Sequence, residues 1–245
     1  MIHMSNLYRP EIRRYTLNPD RNALIRKLGI EEDDPDSLEI LDDLLAEAVA
    51  LAVPRAMTRR CEVGAVSGSR VVIGDVEFES IILGNNLKEQ KEVIAYVCTA
   101  GTEMDAWANG KSDMMDRFWA NAINEHALGL AMRQLNRELL GETGAGLLSK
   151  MNPGSLEDWP LPQQVPLFRL VGDPETNIGV RLSESFLMIP IKSTSGIMFP
   201  TAREFINCTC CPREICPNRR APYDPHYAAE MKVTCAADPN PCAKE

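Results

Sequence analysis

A chain of 245 residues with 44% hydrophobic and 25% charged residues can bury a substantial core without covalent staples, and its composition is that of an ordinary globular protein. The formal net charge of −9 argues against the nonspecific phosphate affinity of a nucleic-acid binder. No apolar run approaches the roughly 20 residues that a membrane span needs, and the opening MIHMSNLYRPEIRRY lacks the apolar core of a secretory signal, so a cytoplasmic protein is expected.

The chain begins polar and arginine-rich. Asp34, Pro35 and Asp36 then precede Leu38, Ile40, Leu41, Leu44, Leu45, Ala48 and Val49, apolar positions at three- and four-residue steps that predict a helix ending before Pro54. CEVGAVSGSRVVIGDVEFESIILGNN, from Cys61, alternates short Val/Ile runs with glycines and predicts two or three strands joined by tight turns. KEQKEVIAYVCTAG reads as a helix leading into a buried strand, Val93 to Cys98. Ser112 to Leu140 is the longest helical pattern, with Phe118, Ala122, Leu128, Met132, Leu135 and Leu139 expected on one buried flank. From Gly144 to Pro166 a proline or glycine recurs every few residues, which excludes a regular helix or a central strand. A long irregular segment inside a compact domain tends to carry function. Two strand-like stretches follow around Pro190, and no internal repeat is visible. The whole reads as one mixed α+β domain over residues 1–205 with a cysteine-rich tail over 206–245.

Within the irregular segment, Pro153-Gly154 permits a tight turn with backbone N–H groups free to hold a carboxylate or a ribose hydroxyl. Lys150 places a positive charge beside it, and Trp159 is either an apolar wall of a site or a residue packed on the core. The spaced residues Lys150, Pro153 and Gly154, then Gly179, Leu182, Ser185, Met188, Pro190, Ser193, Ser195 and Gly196, resemble the activation (reactivation) domain of cobalamin-dependent methionine synthase. That family carries Arg-x-x-Pro-Gly-Tyr in the loop and a Ser-x-Ser-Gly stretch after a Met-x-Pro segment. The resemblance is closest to stand-alone proteins of this type, which go with corrinoid-dependent methyltransferase systems of anaerobes. It implies a curved antiparallel sheet flanked by helices. It also implies S-adenosylmethionine bound by Lys150, Asn152, Pro153, Gly154, Ser155, Ser195 and Gly196, beside a corrinoid. Because the chain is too short to include a corrinoid-binding domain, the cobalamin is expected on a partner, a corrinoid-binding protein or corrinoid methyltransferase.

The sequence departs from the family at two of these places. Lys150 offers one compact charge where a guanidinium would bind a carboxylate with two parallel bonds, and Ser155 removes an aromatic surface. A helix carboxylate that would stabilise a sulfonium is expected at Glu125, with Glu138 and Glu142 as rivals, whereas His126 reads as structural.

Cys208, Cys210, Cys211 and Cys216 form the densest thiol cluster of the chain. Cys208, Cys211 and Cys216 lie within reach of one centre, and Cys210, Cys235 or Cys242 is available as a fourth ligand. In a reducing compartment such spacing binds metal or does redox chemistry more often than it forms bridges. An iron–sulfur cluster, zinc and free or disulfide-forming thiols all remain open. Pro212 and Pro217 each follow a cysteine, as in some cluster motifs, and Arg213, Arg219 and Arg220 would offset thiolate charge. Cys61 and Cys98 read as ordinary buried cysteines.

Three functions follow. One is reactivation of a corrinoid protein by reduction or by S-adenosylmethionine-dependent methylation of cob(II)alamin, as a reductive activator or methyltransferase component. The second is a non-catalytic module that binds a corrinoid or an adenosine-type ligand. The third is a scaffold assembled through its cysteines.

Overall fold

The computed structural model describes residues 9–216 and 219–233, so Cys235, Cys242 and Pro217 lie outside the described residues. A short strand, β1 (Glu11–Arg14), leads to helix α1 (Arg21–Leu28), which starts where Asp20 accepts the Ala23 N–H and stops at Gly29 in the left-handed conformation. Helix α2 (Pro35–Leu51) is capped by Asp34, whose carboxylate accepts the Ser37 N–H, with Pro35 pre-shaped for the first turn. Leu41, Leu44, Leu45 and Ala48 are its buried stripe; Ile40 and Val49, expected on it, are exposed.

Strands β2 (Arg55–Ser67), β3 (Arg70–Ile73) and β4 (Val76–Glu79) follow as an antiparallel meander with turns at Gly68 and Gly74, both at positive φ. The next segment differs from expectation. Residues Ile81–Leu87 form helix α3, and no helix lies in KEQKEV, which leads directly into strand β5 (Glu92–Thr99). The run IILGNN has strand-like composition, but Ser80 caps it by accepting the Leu83 N–H. Asp158, far along the chain, accepts the N–H groups of Ile81 (3.2 Å) and Ile82 (2.9 Å) and the Ser80 hydroxyl. Four donors that a helix start leaves open are thus partly met from outside.

Helix α4 (Thr102–Gly110) precedes helix α5 (Met114–Thr143), 30 residues long, which starts at the Asp113 cap and ends at Gly144 (φ 66°). Its buried side is Trp119, Ile123, Ala127, Ala131, Leu135 and Leu139. Phe118, expected on that flank, is 60% exposed, because Trp119 takes the inward position at this level of the helix. The irregular segment contains one edge strand, β6 (Leu148–Met151), and ends at helix α6 (Gln164–Val171). Helix α7 (Pro174–Ile178), the two-residue strands β7 (Arg181–Leu182) and β8 (Met188–Ile189), strand β9 (Ser193–Pro200) and helix α8 (Pro225–Met231) complete the fold.

The main sheet runs β4-β3-β2-β5-β9-β6, with β1 beside the first half of β2, and every pairing is antiparallel. A register shift between Val63 and Val66 falls within the stretch of β2 that pairs β3, just beyond the Arg55–Glu62 stretch that pairs β5, and such bulges bend a strand. Along β5 the period-2 alternation serves two cores: Val93, Ala95 and Val97 pack with α3, α6 and α7 residues, while Ile94, Tyr96 and Cys98 pack with Ala131, Leu135 and Leu139 of α5. Both faces of the sheet are therefore covered, which is why this strand reads as an unbroken apolar run. A third cluster joins α1, α2, α4 and the first half of α5. The fold is α+β, an antiparallel sheet flanked by helices. Cys210 and Ala228 belong to the same core as β5 and α6, so the described part of the cysteine segment packs on the domain. Among the described residues no helix is long and apolar enough to cross a membrane.

Asp158→Ala should destabilise the protein by about 1–2 kcal/mol, the scale of losing a helix cap. The urea midpoint measures it, and an unchanged midpoint would mean that α3 starts without this carboxylate.

Candidate functional site

Strand β9 and the loop after β6 approach so closely that only glycine fits between them. A Cβ on Gly196 would lie 2.3 Å from the Met151 carbonyl oxygen and 2.7 Å from Asn152 Nδ2. In the space this leaves, Asn152 donates to the Ser195 carbonyl (2.6 Å) and to the Tyr96 hydroxyl (2.8 Å), and its own side-chain oxygen accepts from Asn207 (3.3 Å). One amide thus ties the loop to β9, β5 and the start of the cysteine segment. Beyond it Gly154, at φ 81°, makes the turn, and its N–H donates to the Trp159 carbonyl at 2.7 Å. Trp159 is fully buried, edge-on to Phe78 at 6.0 Å, so it anchors the loop and is not a wall of a site.

The loop 152–155 separates two cavities. The inner one, about 490 Å³, is lined by Asn152, Pro153, Gly154 and Ser155 on one side, Thr194 and Ser195 on another, and Leu161, Gln164, Leu187 and Met188. It contains no charged side chain, and the Ser195 hydroxyl donates to Gln164 Oε1 (2.6 Å) across its floor. The outer one, about 820 Å³, shares Asn152, Gly154, Ser155 and Leu161 and adds Asn207, Cys208, Cys211, Cys216, Glu157, Arg213 and Arg220. Both volumes fall in the range of small-molecule pockets.

Five of the residues expected to bind a cofactor thus come together: Asn152, Pro153, Gly154, Ser155 and Ser195 line the inner cavity, and Gly196 makes room for them. Lys150 and Glu125 line neither cavity. Lys150 is half-buried on β6 opposite Met198, and burial, then the nearby Arg220 charge, lowers its ammonium pKa. Glu125 pairs with Lys27 (3.1 Å) and Lys192 (3.6 Å). Glu138 and Glu142 are held by Arg13 (3.2 and 2.6 Å), with Arg60 also 3.4 Å from Glu142. These carboxylates are fastened into ion pairs along α5. Arg220, which sequence reasoning treated only as counter-charge for thiols, is exposed on the outer cavity. Nothing in the local sequence sets it apart from Arg219.

Of the four clustered cysteines, Cys208, Cys211 and Cys216 line the outer cavity and Cys210 is buried in the core. Burial pushes the Cys208 thiol up, but the Arg220 and Ala221 N–H groups and the charges of Arg220 and Arg219 outweigh it, and its pKa is lowered. Among the described residues no three His, Cys, Asp or Glu side chains are placed to hold a single metal ion. Cys61 and Cys98 are buried in the core, their thiols pushed up to about 11 and about 12 by desolvation.

No family model and no curated protein matches this chain. Among solved structures it is similar to the crystal structure of the MetH reactivation domain bound to AdoHcy, with a TM-score of 0.60 and 16% identity over 82% of each chain. At that identity the likeness shows the fold, an α+β arrangement of an antiparallel sheet flanked by helices, and the resemblance in the loop and β9 motifs agrees with it.

His126, beside these elements on α5, accepts the Asp20 N–H at its Nε2 (3.1 Å), and burial, then Arg133, lowers its pKa. A base depressed on folding holds fewer protons in the native state, so the stability it confers is present above the unfolded value of about 6.5 and is lost as pH falls through the lower folded value. The loss of stability from pH 7 to pH 5 should shrink by up to about 1 kcal/mol in His126→Gln, whose amide accepts the same bond without titrating. Denaturant titrations at the two pH values measure it; an equal loss in both proteins would remove His126 as a contributor.

Proposed function

We propose that the chain binds an S-adenosylmethionine-type nucleoside at the Asn152–Ser155 loop and serves the reactivation of a corrinoid carried by a partner protein. The observation that carries the reading is the meeting of the two motif segments: Asn152, Pro153, Gly154 and Ser155 face Thr194 and Ser195 across one groove of about 490 Å³. The fold likeness to a domain crystallised with AdoHcy supports the same ligand class.

The residues present fit such a group in a divided way. The uncharged groove, with Leu161 and Met188 beside Asn152, Gln164 and Ser195, suits the adenine and ribose. The charges that an amino-acid end requires stand on the other side of the loop, where Arg220 and Glu157 line the outer cavity. Arg220, not Lys150, is then the guanidinium for the ligand carboxylate, and it presents the forked donors that a lysine lacks. Bound AdoMet supplies a methyl group; the chain's own part is to fix the nucleoside by a loop that Gly196, Tyr96 and Asn207 hold in place. Methylation of a partner's cob(II)alamin would consume that methyl group and one electron from an outside reductant, and would release AdoHcy.

A non-catalytic binding module is the second reading. The observations that favour it are Lys150 lying outside both cavities and Ser155 standing where the family has an aromatic ring.

Calorimetry with AdoHcy tests the site. Binding is expected, weakened about tenfold, or 1.4 kcal/mol, in Arg220→Ala, and weakened further in Gly196→Ala, where the loop must move off β9. No binding of AdoHcy or AdoMet to the native protein, or full affinity in Arg220→Ala, would sink this arrangement. If AdoHcy binds yet AdoMet with titanium(III) citrate yields no methylcobalamin from a corrinoid protein, the second reading stands.

A further inference from the structure

The outer cavity holds a feature that nucleoside binding does not use. Residues Asn207–Cys210 form one 3₁₀ turn, in which side chains three apart share a side. Cys208 and Cys211, the residue that ends the turn, both line the cavity, and Cys210 lies instead in the core with Ala228 and Tyr227. Cys216 reaches the same cavity wall from the loop that follows.

That wall is held by backbone contacts and does not depend on the thiols. The Arg219 guanidinium donates to the carbonyl oxygens of Cys208 (3.3 Å), Ala221 (3.2 Å), Cys211 (3.4 Å) and Arg213, and its N–H donates to the Cys216 carbonyl (3.2 Å). One half-buried cation thus gathers both ends of the segment. The Arg220 N–H points at Cys208 Sγ (3.4 Å), the kind of contact that supports a ligating sulfur. Asn207, 6% exposed on the same cavity, has its side-chain oxygen without a partner among the described residues, a polar group that a ligand or ordered water would satisfy.

We propose that Cys208, Cys211 and Cys216 bind an iron–sulfur cluster in this cavity. Zinc requires its sulfurs about 2.3 Å from one point, and no described trio is placed to hold a single ion. A four-iron, four-sulfide cluster takes one thiolate on each iron it offers to the protein, so three thiols lining one cavity match its needs. Arg213 and Arg220, on the same walls, offset the negative charge that thiolate ligation brings. The proposal does not rest on the nucleoside reading.

The test uses the full chain purified without oxygen and reconstituted with ferrous iron and sulfide. Iron and acid-labile sulfide in equal amounts are expected, with visible absorption that bleaches on dithionite reduction. Cys211→Ser and Cys216→Ser, at part-buried positions on the cavity wall, should each lose cluster at least about tenfold, the scale of loss at metal sites. Cys210→Ala and Cys98→Ala, whose thiols lie off the cavity, should keep it. Zinc in place of iron, iron without sulfide, or full iron in Cys211→Ser or Cys216→Ser would overturn the proposal. AdoHcy calorimetry on the same preparations separates the two ideas: binding without a cluster defeats only the cluster, and a cluster without binding defeats only the nucleoside.

Discussion

The constraint on which the site depends is the contact of two backbones at Gly196. Because no Cβ stands there, the Met151–Asn152 peptide lies against β9, and the Asn152 amide reaches the Ser195 carbonyl, the Tyr96 hydroxyl and Asn207 at once. A half-buried amide satisfied on three sides is costly to disturb, since a lost partner leaves a partly desolvated polar group behind. The loop beyond it is pinned again at its far end, where Trp159 enters the core and Asp158 caps α3. Two anchors a few residues apart make a proline- and glycine-rich segment into a rigid partition between two cavities. Rigidity of this kind lowers the ordering cost of binding.

Charge is distributed to match. Three carboxylates of α5 are held by basic residues: Glu125 by Lys27 and Lys192, Glu138 and Glu142 by Arg13. They fasten α5 to the N-terminal segment and to the start of β9. The lining of the inner cavity is uncharged, and that of the outer one holds Glu157, Arg213 and Arg220 beside three thiols. The partition therefore separates an apolar-polar groove from a cationic, sulfur-lined space. Any ligand that spans the loop meets both environments.

The cysteine segment shows how short-range geometry sorts chemically identical residues. Cys210 and Cys211 are neighbours in sequence and both touch the same core, yet Cys210 is buried in it while Cys211, where the 3₁₀ turn gives way to extended chain, also lines the cavity. Arg219 then fixes the segment through four carbonyl oxygens, a use of guanidinium that its neighbour Arg220 does not share.

Local patterns alone determined much of the scaffold. The three- and four-residue steps of α2 and α5 and the doubly apolar run of β5 were legible because periodicity records burial directly. The α+β class followed from the same reading, and the loop and β9 motifs that meet at the inner cavity were marked by the resemblance to a known family. What only the tertiary structure decided were the matters that depend on a distant partner. IILGNN became helix α3 because Ser80 and, from seventy-odd positions away, Asp158 satisfy its first N–H groups. Trp159 went to the core and Phe118 to the surface, since a one-residue shift in helix register or loop path exchanges inside for outside. Lys150 and Glu125 carried suitable charges at suggestive positions, but strand direction and ion pairing kept them off the cavities, while Arg220 arrived there through the folding back of the cysteine segment. Sequence spacing records which side chains a segment offers; which of them share a cavity is set by packing between segments, and that information is not local.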